Sequence, residues 1–321
     1  MSGLLRRFAY VATFVLAAGP AAADPARWAA EWPDTDFSRH SVPFDEIISG
    51  GPPKDGIPSI DRPQFVPVAE AAGIAEREPV IRFAVGDDVR AYPLAVLIWH
   101  EIVNDTVGGV PVAVTYCPLC NSAVVFDRRL DGRVLEFGTT GKLRHSDLVM
   151  YDRQTQSWWQ QFVGEAIVGA MTGQRLTMLP ARIEPFGRFR ETAPNGKLLI
   201  PGDPRLRSYG VNPYAGYDSA AWPFLLRAGY EDALPPLAYV VAVGDEAWPL
   251  SLLQERGRVE AGDLVIAWEP GMASALDTAA IADGRDLGVV TVQRGGADVV
   301  YDMSFAFAFR AFHAAGVIHL E

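Results

Sequence analysis

A mainly β fold of antiparallel strands with a few short helices, arranged as two related halves from an internal duplication, follows from three observations. Short runs rich in Val, Ile, Thr and aromatic residues recur between turn residues. The 30 Gly and 24 Pro among 321 residues supply those turns. One strand, turn and helix pattern also occurs twice. A mixed α+β assignment is the alternative.

The elements follow in chain order. Residues 1–23 read as a signal peptide: Arg6 and Arg7 form a basic start, Phe8 to Leu16 an apolar stretch too short to span a bilayer, and Ala21-Ala22-Ala23 a small-residue cleavage site. The mature chain is then expected to be exported, periplasmic and without a stable membrane span. Residues 24–64 form a Pro-rich extended arm, because Pro fixes φ and removes backbone donors. Alternation predicts a strand over Pro79 to Val85, Val-rich runs predict strands over Val110 to Tyr116 and Ser122 to Asp127, and Asp131-Gly132 predicts a hairpin turn leading into Val134 to Phe137. Leu148 to Asp152 and Ser157 to Val163 add two short runs. One helix begins near Pro93 and places Leu94, Leu97, Ile98 and Ile102 on one face, with His100 and Glu101 toward its C-terminal end.

The repeat organises the rest. Ala84-Val85-Gly86-Asp87, Pro93-Leu94 and Leu97 recur as Ala242-Val243-Gly244-Asp245, Pro249-Leu250 and Leu253, each followed by a β-rich segment. The first half is read as 65–195 and the second, degenerate half as 196–321. Arg256 stands where the first copy has His100, and the second copy has no cysteine, so any chemistry of His and Cys belongs to the first half.

Composition excludes several functions. The 28 Lys+Arg against 39 Asp+Glu give a net charge of −11, which argues against a nucleic-acid partner, since phosphate binding is dominated by basic side chains. No P-loop, dinucleotide fingerprint, nucleophile elbow or HExxH helix occurs, so no nucleotide cofactor is expected.

Cys117-Pro118-Leu119-Cys120 holds the only two cysteines. A strand enters the motif and a strand leaves it. That context is a metal knuckle, in which two thiolates converge on one ion, rather than the helix N-terminus that lowers a redox thiol's pKa. Further ligands must come from His100, His145, Met150 or a carboxylate such as Glu101 or Asp147. The metal set is read as Cys117, Cys120, His100 and Met150, holding a single Zn or Cu ion. His100 alone would read as an ordinary satisfied histidine; the cysteines give it interest.

A second cluster, Arg144, Asp147, Asp152, Arg153, Trp158 and Trp159, can line a pocket for a small-molecule ligand. Residue by residue the structural reading is favoured: ion pairs at turns, and Trp158 and Trp159 on opposite faces of a strand, one in the core and one at the surface.

The blocks Ala91-Tyr92-Pro93-Leu94, His100 through Asp105, Thr115 through Cys120, Asp147 through Arg153 and Ser157-Trp158-Trp159 resemble the domain-of-unknown-function family numbered 3179, over roughly residues 65 to 319. The resemblance implies an exported bacterial or archaeal protein with no established activity. It reads Phe309 to His313 as the family's closing strand, and His145 stands where the family pattern is expected to carry Asn. Three functions stay open. The leading one is a metal centre serving metal handling, electron transfer or metal-assisted catalysis. The second is a thiol-disulfide oxidoreductase using the cysteine pair, and the third a ligand-binding module with a structural disulfide.

Overall fold

Alternating apolar residues pair into sheets in the computed structural model, which describes residues 25–321; the signal-peptide reading of residues 1–23 lies outside the described residues. Strand covers 38% and helix 14%, so the mainly β class holds and the α+β alternative falls. Five sheets of four or five strands stand in a five-bladed β-propeller arrangement. No described helix is long and apolar enough to cross a membrane.

Three sheets carry the first half. One orders Thr177–Leu179, Ser122–Asp127, Val110–Cys117 and Ile102–Val107. Its central strands are buried along nearly their whole length, which is why they read as continuous Val-rich runs rather than as a strict alternation. A second sheet orders Ile47–Ser49, Phe137–Arg144, Asp147–Asp152, Trp158–Gln160 and Glu165–Val168. The third orders Arg182–Pro185, Pro79–Val85, Asp88–Pro93, Lys197–Ile200 and Gln64–Pro67. Lys197–Ile200, just past residue 195, therefore completes a sheet of the first half.

In the second half, Asp302–Phe305, Tyr239–Val243, Glu246–Pro249 and Val317–Ile318 form one sheet, and Arg258–Ala261, Leu264–Glu269, Val289–Arg294 and Ala297–Asp298 the other. The sheets holding the two Gly-Asp hairpins are built alike. In each, the strand after the hairpin turn pairs in parallel with a later strand, Asp88–Pro93 with Lys197–Ile200 and Glu246–Pro249 with Val317–Ile318. A helix precedes that later strand in both, Phe186–Thr192 and Ala306–Phe312. Gly196 and Gly316 occupy matching turns, where a Cβ would come within 2.8 and 2.7 Å of the Phe189 and Phe309 rings.

Four expectations are corrected. The helix after Pro93 is only Leu94–Leu97, because the chain must turn sharply to enter Ile102–Val107, and His100 and Glu101 lie in that turn. Phe309 to Phe312 is helical rather than a closing strand; Phe305, Phe309 and Phe312 repeat at helical spacing. Trp158 and Trp159 are both fully buried. The arm covers the second face of their sheet, placing Trp28, Trp32 and Phe37 against Trp158 at ring separations of 5.0, 5.2 and 5.4 Å. The arm also has regular pieces, with Ala26–Ala29 helical and Ile47–Ser49 paired with Lys142 to Arg144.

Candidate metal centre

The cysteine turn is fixed by local chemistry. Cys117 and Ser122 are the last paired residues of two antiparallel strands, leaving four residues to reverse the chain. Pro118 suits a turn interior, the Cys120 N–H donates to the Cys117 carbonyl at 3.3 Å, and Asn121 closes the loop at φ +50°. Buried Asn121 earns that left-handed position through its side chain. Its amide donates to the Met303 carbonyl at 2.7 Å and its oxygen accepts from the Tyr116 hydroxyl at 3.1 Å.

A second turn faces the first. His145 and Ser146, both at positive φ, connect Phe137–Arg144 to Asp147–Asp152 in a two-residue hairpin of the kind whose twist suits antiparallel strands. The Ser146 carbonyl lies 3.9 Å from Cys117 Sγ and 3.5 Å from Cys120 Sγ. Asp147, the next residue, brings its carboxylate into the same space. One ligand atom each from Cys117, Cys120 and Asp147 all lie within 4.8 Å of one another, and all three residues are buried.

Asp147 Oδ2 accepts from the Gln160 amide at 2.5 Å and from the Phe162 N–H at 3.1 Å. Its Oδ1 is buried with no hydrogen-bond partner among the described residues. Glu101 stands nearby at φ +59°, in a tight turn closed by the Ile102 N–H on the His100 carbonyl and braced by the Tyr116 N–H on its own carbonyl.

Without an ion, these groups share an electrostatic problem. Burial pushes the Asp147 carboxyl up to about 7, against the pull of the Gln160 amide, the Phe162 N–H and the neighbouring thiols. Burial and then the Asp147 charge push Glu101 up to about 8. Both thiols are raised by burial, Cys120 well above the ordinary thiol value. Buried acids pressed toward neutrality at one point are what a cation would reverse.

The other sequence-read residues are placed as follows. His100 is buried, but one ring nitrogen meets the Pro58 carbonyl at 2.7 Å and the other the Tyr209 hydroxyl at 2.5 Å, and it lies outside the ligand group. Met150 is buried in the core opposite Thr139 and Trp159. His145 faces Glu46 at 3.3 Å, and Arg144 pairs with the same carboxylate at 2.7 Å. Asp152 accepts from Thr155 and from the Trp159 indole, while Arg153 pairs with Asp55, Asp61 and Glu136. Only Asp147 of the second cluster joins the cysteines. The thiols are free, so the structural disulfide of the third reading is absent.

Residues 217–224 lie over the cysteine turn: the Tyr217 hydroxyl donates to the Leu119 carbonyl at 2.8 Å, and Ser146 Oγ donates to the Phe224 carbonyl at 2.5 Å. Nothing in the local sequence signals that a segment about a hundred residues away roofs the cysteine turn.

Comparison with known proteins adds one match. The family model described as "Protein of unknown function (DUF3179)" matches residues 54–316, a span that takes in the end of the arm, including Pro58. No curated protein and no solved structure matches.

Proposed function

Since the chain belongs to the DUF3179 family, whose description assigns no activity, we propose a function from the site itself: an exported metal protein in which Cys117, Cys120 and Asp147 hold one zinc or copper ion. The observation that carries this reading is the convergence of the Asp147 carboxylate and two thiols, all buried, with one ligand atom each within 4.8 Å of the others. Burying such a group is costly, and a metal ion offsets the cost by binding all three in their charged forms. Two thiolates favour zinc or copper(I) over the harder magnesium or calcium.

Burial and the raised thiol pKa values weigh against thiol-disulfide exchange, which needs an accessible thiolate. The leader read over residues 1–23 supports an oxidising compartment, where two adjacent thiols persist best when a metal protects them. The roof over the site favours a retained ion, serving catalysis or electron transfer, over rapid hand-off.

The test is elemental analysis of the protein purified from periplasm without chelator, with free thiols titrated on the same sample. The reading predicts close to one zinc or copper ion per chain, lost in Cys117→Ser. A metal-free protein whose thiols appear only after reductant would overturn it.

A further inference from the structure

One cavity shares no lining residue with the cysteine site. It measures about 270 Å³ and lies where the two halves meet, between parts of 72–78, 93–98 and 198–201 on one side and 209–212 and 279–282 on the other. Hydrogen bonds across the junction hold its walls in place. The Arg77 guanidinium donates to the Ala282 and Gly284 carbonyls at 3.1 and 3.3 Å, and the Ala273 N–H donates to the Arg77 carbonyl at 3.0 Å. Nδ1 of His100 faces the Pro58 carbonyl and so carries the ring proton, which leaves Nε2 to accept from the Tyr209 hydroxyl in the wall. The Asn212 amide donates to the Ala275 and Thr278 carbonyls, both at 2.8 Å, and its oxygen accepts from the Tyr214 N–H at 2.9 Å.

The lining is apolar except at one point. Ile74, Val96, Ile98, Leu199, Val211 and Ile281 face the space, while Tyr209 and Asn212 have their side chains engaged by protein partners. Glu78 is the single charged side chain of the lining among the described residues. It is partly buried, accepts from the Ala75 N–H at 3.0 Å and forms no ion pair among the described residues. Burial raises its carboxyl above the ordinary value, a shift that a neighbouring cation reverses. An apolar chamber with one uncompensated carboxylate selects a molecule with one positive group, since the remaining wall gives a second charge no partner. Volume sets the size. A cavity of roughly 150 Å³ accepts benzene, so 270 Å³ suits about ten non-hydrogen atoms.

We propose that this cavity binds a small organic monocation, an ammonium or amidinium on a compact apolar body, with its charge against the Glu78 carboxylate and its body between Ile98, Leu199 and Ile281. The inference is independent of the metal reading, because Cys117, Cys120 and Asp147 take no part in the cavity.

The test titrates the full chain by calorimetry with 2-phenylethylammonium and with its neutral counterpart 2-phenylethanol. The amine is expected to fill one saturable site per chain with a Kd of about a millimolar or below, and the alcohol to bind about tenfold more weakly. Glu78→Gln keeps the shape of the side chain and should weaken the amine about tenfold while leaving the alcohol unchanged. Ala95→Leu fills the chamber and should weaken both ligands. Thermal melts establish that each variant is folded, and the comparison of amine with alcohol in the parent protein decides the matter even without them. Absence of saturable amine binding up to about 10 mM, or equal affinity for amine and alcohol, overturns the proposal. So does amine affinity that is unchanged in folded Glu78→Gln or Ala95→Leu, which would place the amine elsewhere.

Discussion

The Phe305 N–H donates to the Cys120 carbonyl over 2.9 Å, joining the last long strand of the C-terminal half to the cysteine turn of the N-terminal half. Beside it, Asp302 accepts from the Ala123 N–H at 3.1 Å and Asn121 donates to Met303. The second half has no cysteine, yet it fixes the geometry of the pair.

Asn121→Ala tests that clamp. The change leaves the Met303 carbonyl and the Tyr116 hydroxyl unpaired and puts an alanine at φ +50°. We expect about 2–4 kcal/mol of destabilisation by urea denaturation, with zinc affinity falling in parallel. Unchanged stability and affinity would show that the turn holds its shape alone.

Asp218 anchors the roof. Its fully buried carboxylate accepts from Tyr239 at 2.9 Å and Ser274 at 2.5 Å and pairs with Arg285 at 2.8 Å. Asp218→Ala strands three donors and should cost about 3 kcal/mol or more. Limited proteolysis should then cut within residues 203–230 much faster than in the parent protein.

The metal-free protein should lose stability as pH rises. Asp147 and Glu101 have ordinary values of 3.8 and 4.5 and folded values of about 7 and about 8. The folded state therefore holds protons that the unfolded chain releases, and the stabilisation present below about pH 4 disappears as pH climbs through about 8. The loss should be on the order of a few kcal/mol in urea midpoints. Asp147→Asn with Glu101→Gln should flatten the profile, and a parent profile that is already flat would contradict the burial argument.

Gly141→Ala should detach the arm. Gly141 sits at φ +68°, at the irregularity between Thr139 and Lys142, and a Cβ there would lie 1.9 Å from the Pro52 carbonyl oxygen. We expect a loss of about 3 kcal/mol or more and early cleavage within residues 25–55. A variant as stable and protease-resistant as its parent would show that the arm adapts.

Local signals made much of the fold legible. Pro79–Val85 and Ser122–Asp127 are strands over the same residues that their composition predicts, and the Asp131-Gly132 turn joins Arg129–Leu130 to Arg133–Val134. What escaped was decided at long range. Trp159 is buried in the core, while Trp158 is hidden only because the arm, more than a hundred residues upstream, returns to cover it. At the site, the strand-turn-strand context marks Cys117 and Cys120 as a metal knuckle, and Asp147 and Glu101 are among the carboxylates that the sequence offers it. His100 drew attention by chain proximity, but its ring partners, Pro58 and Tyr209, lie far off in sequence. The contribution of Ser146 is a backbone carbonyl, which any residue type supplies, so composition carries no trace of it.

Calorimetric titration of the metal-free, reduced protein with zinc, in two buffers of different ionisation enthalpy, tests the metal centre most directly. Both thiols and part of the Asp147 population are protonated near pH 7, so an ion bound by all three groups must expel protons as it enters. The account predicts one site per chain with release of about two to three protons, falling by about one in Cys120→Ser. Binding without proton release, or binding unchanged in Cys120→Ser, would place the metal elsewhere and contradict the central claim.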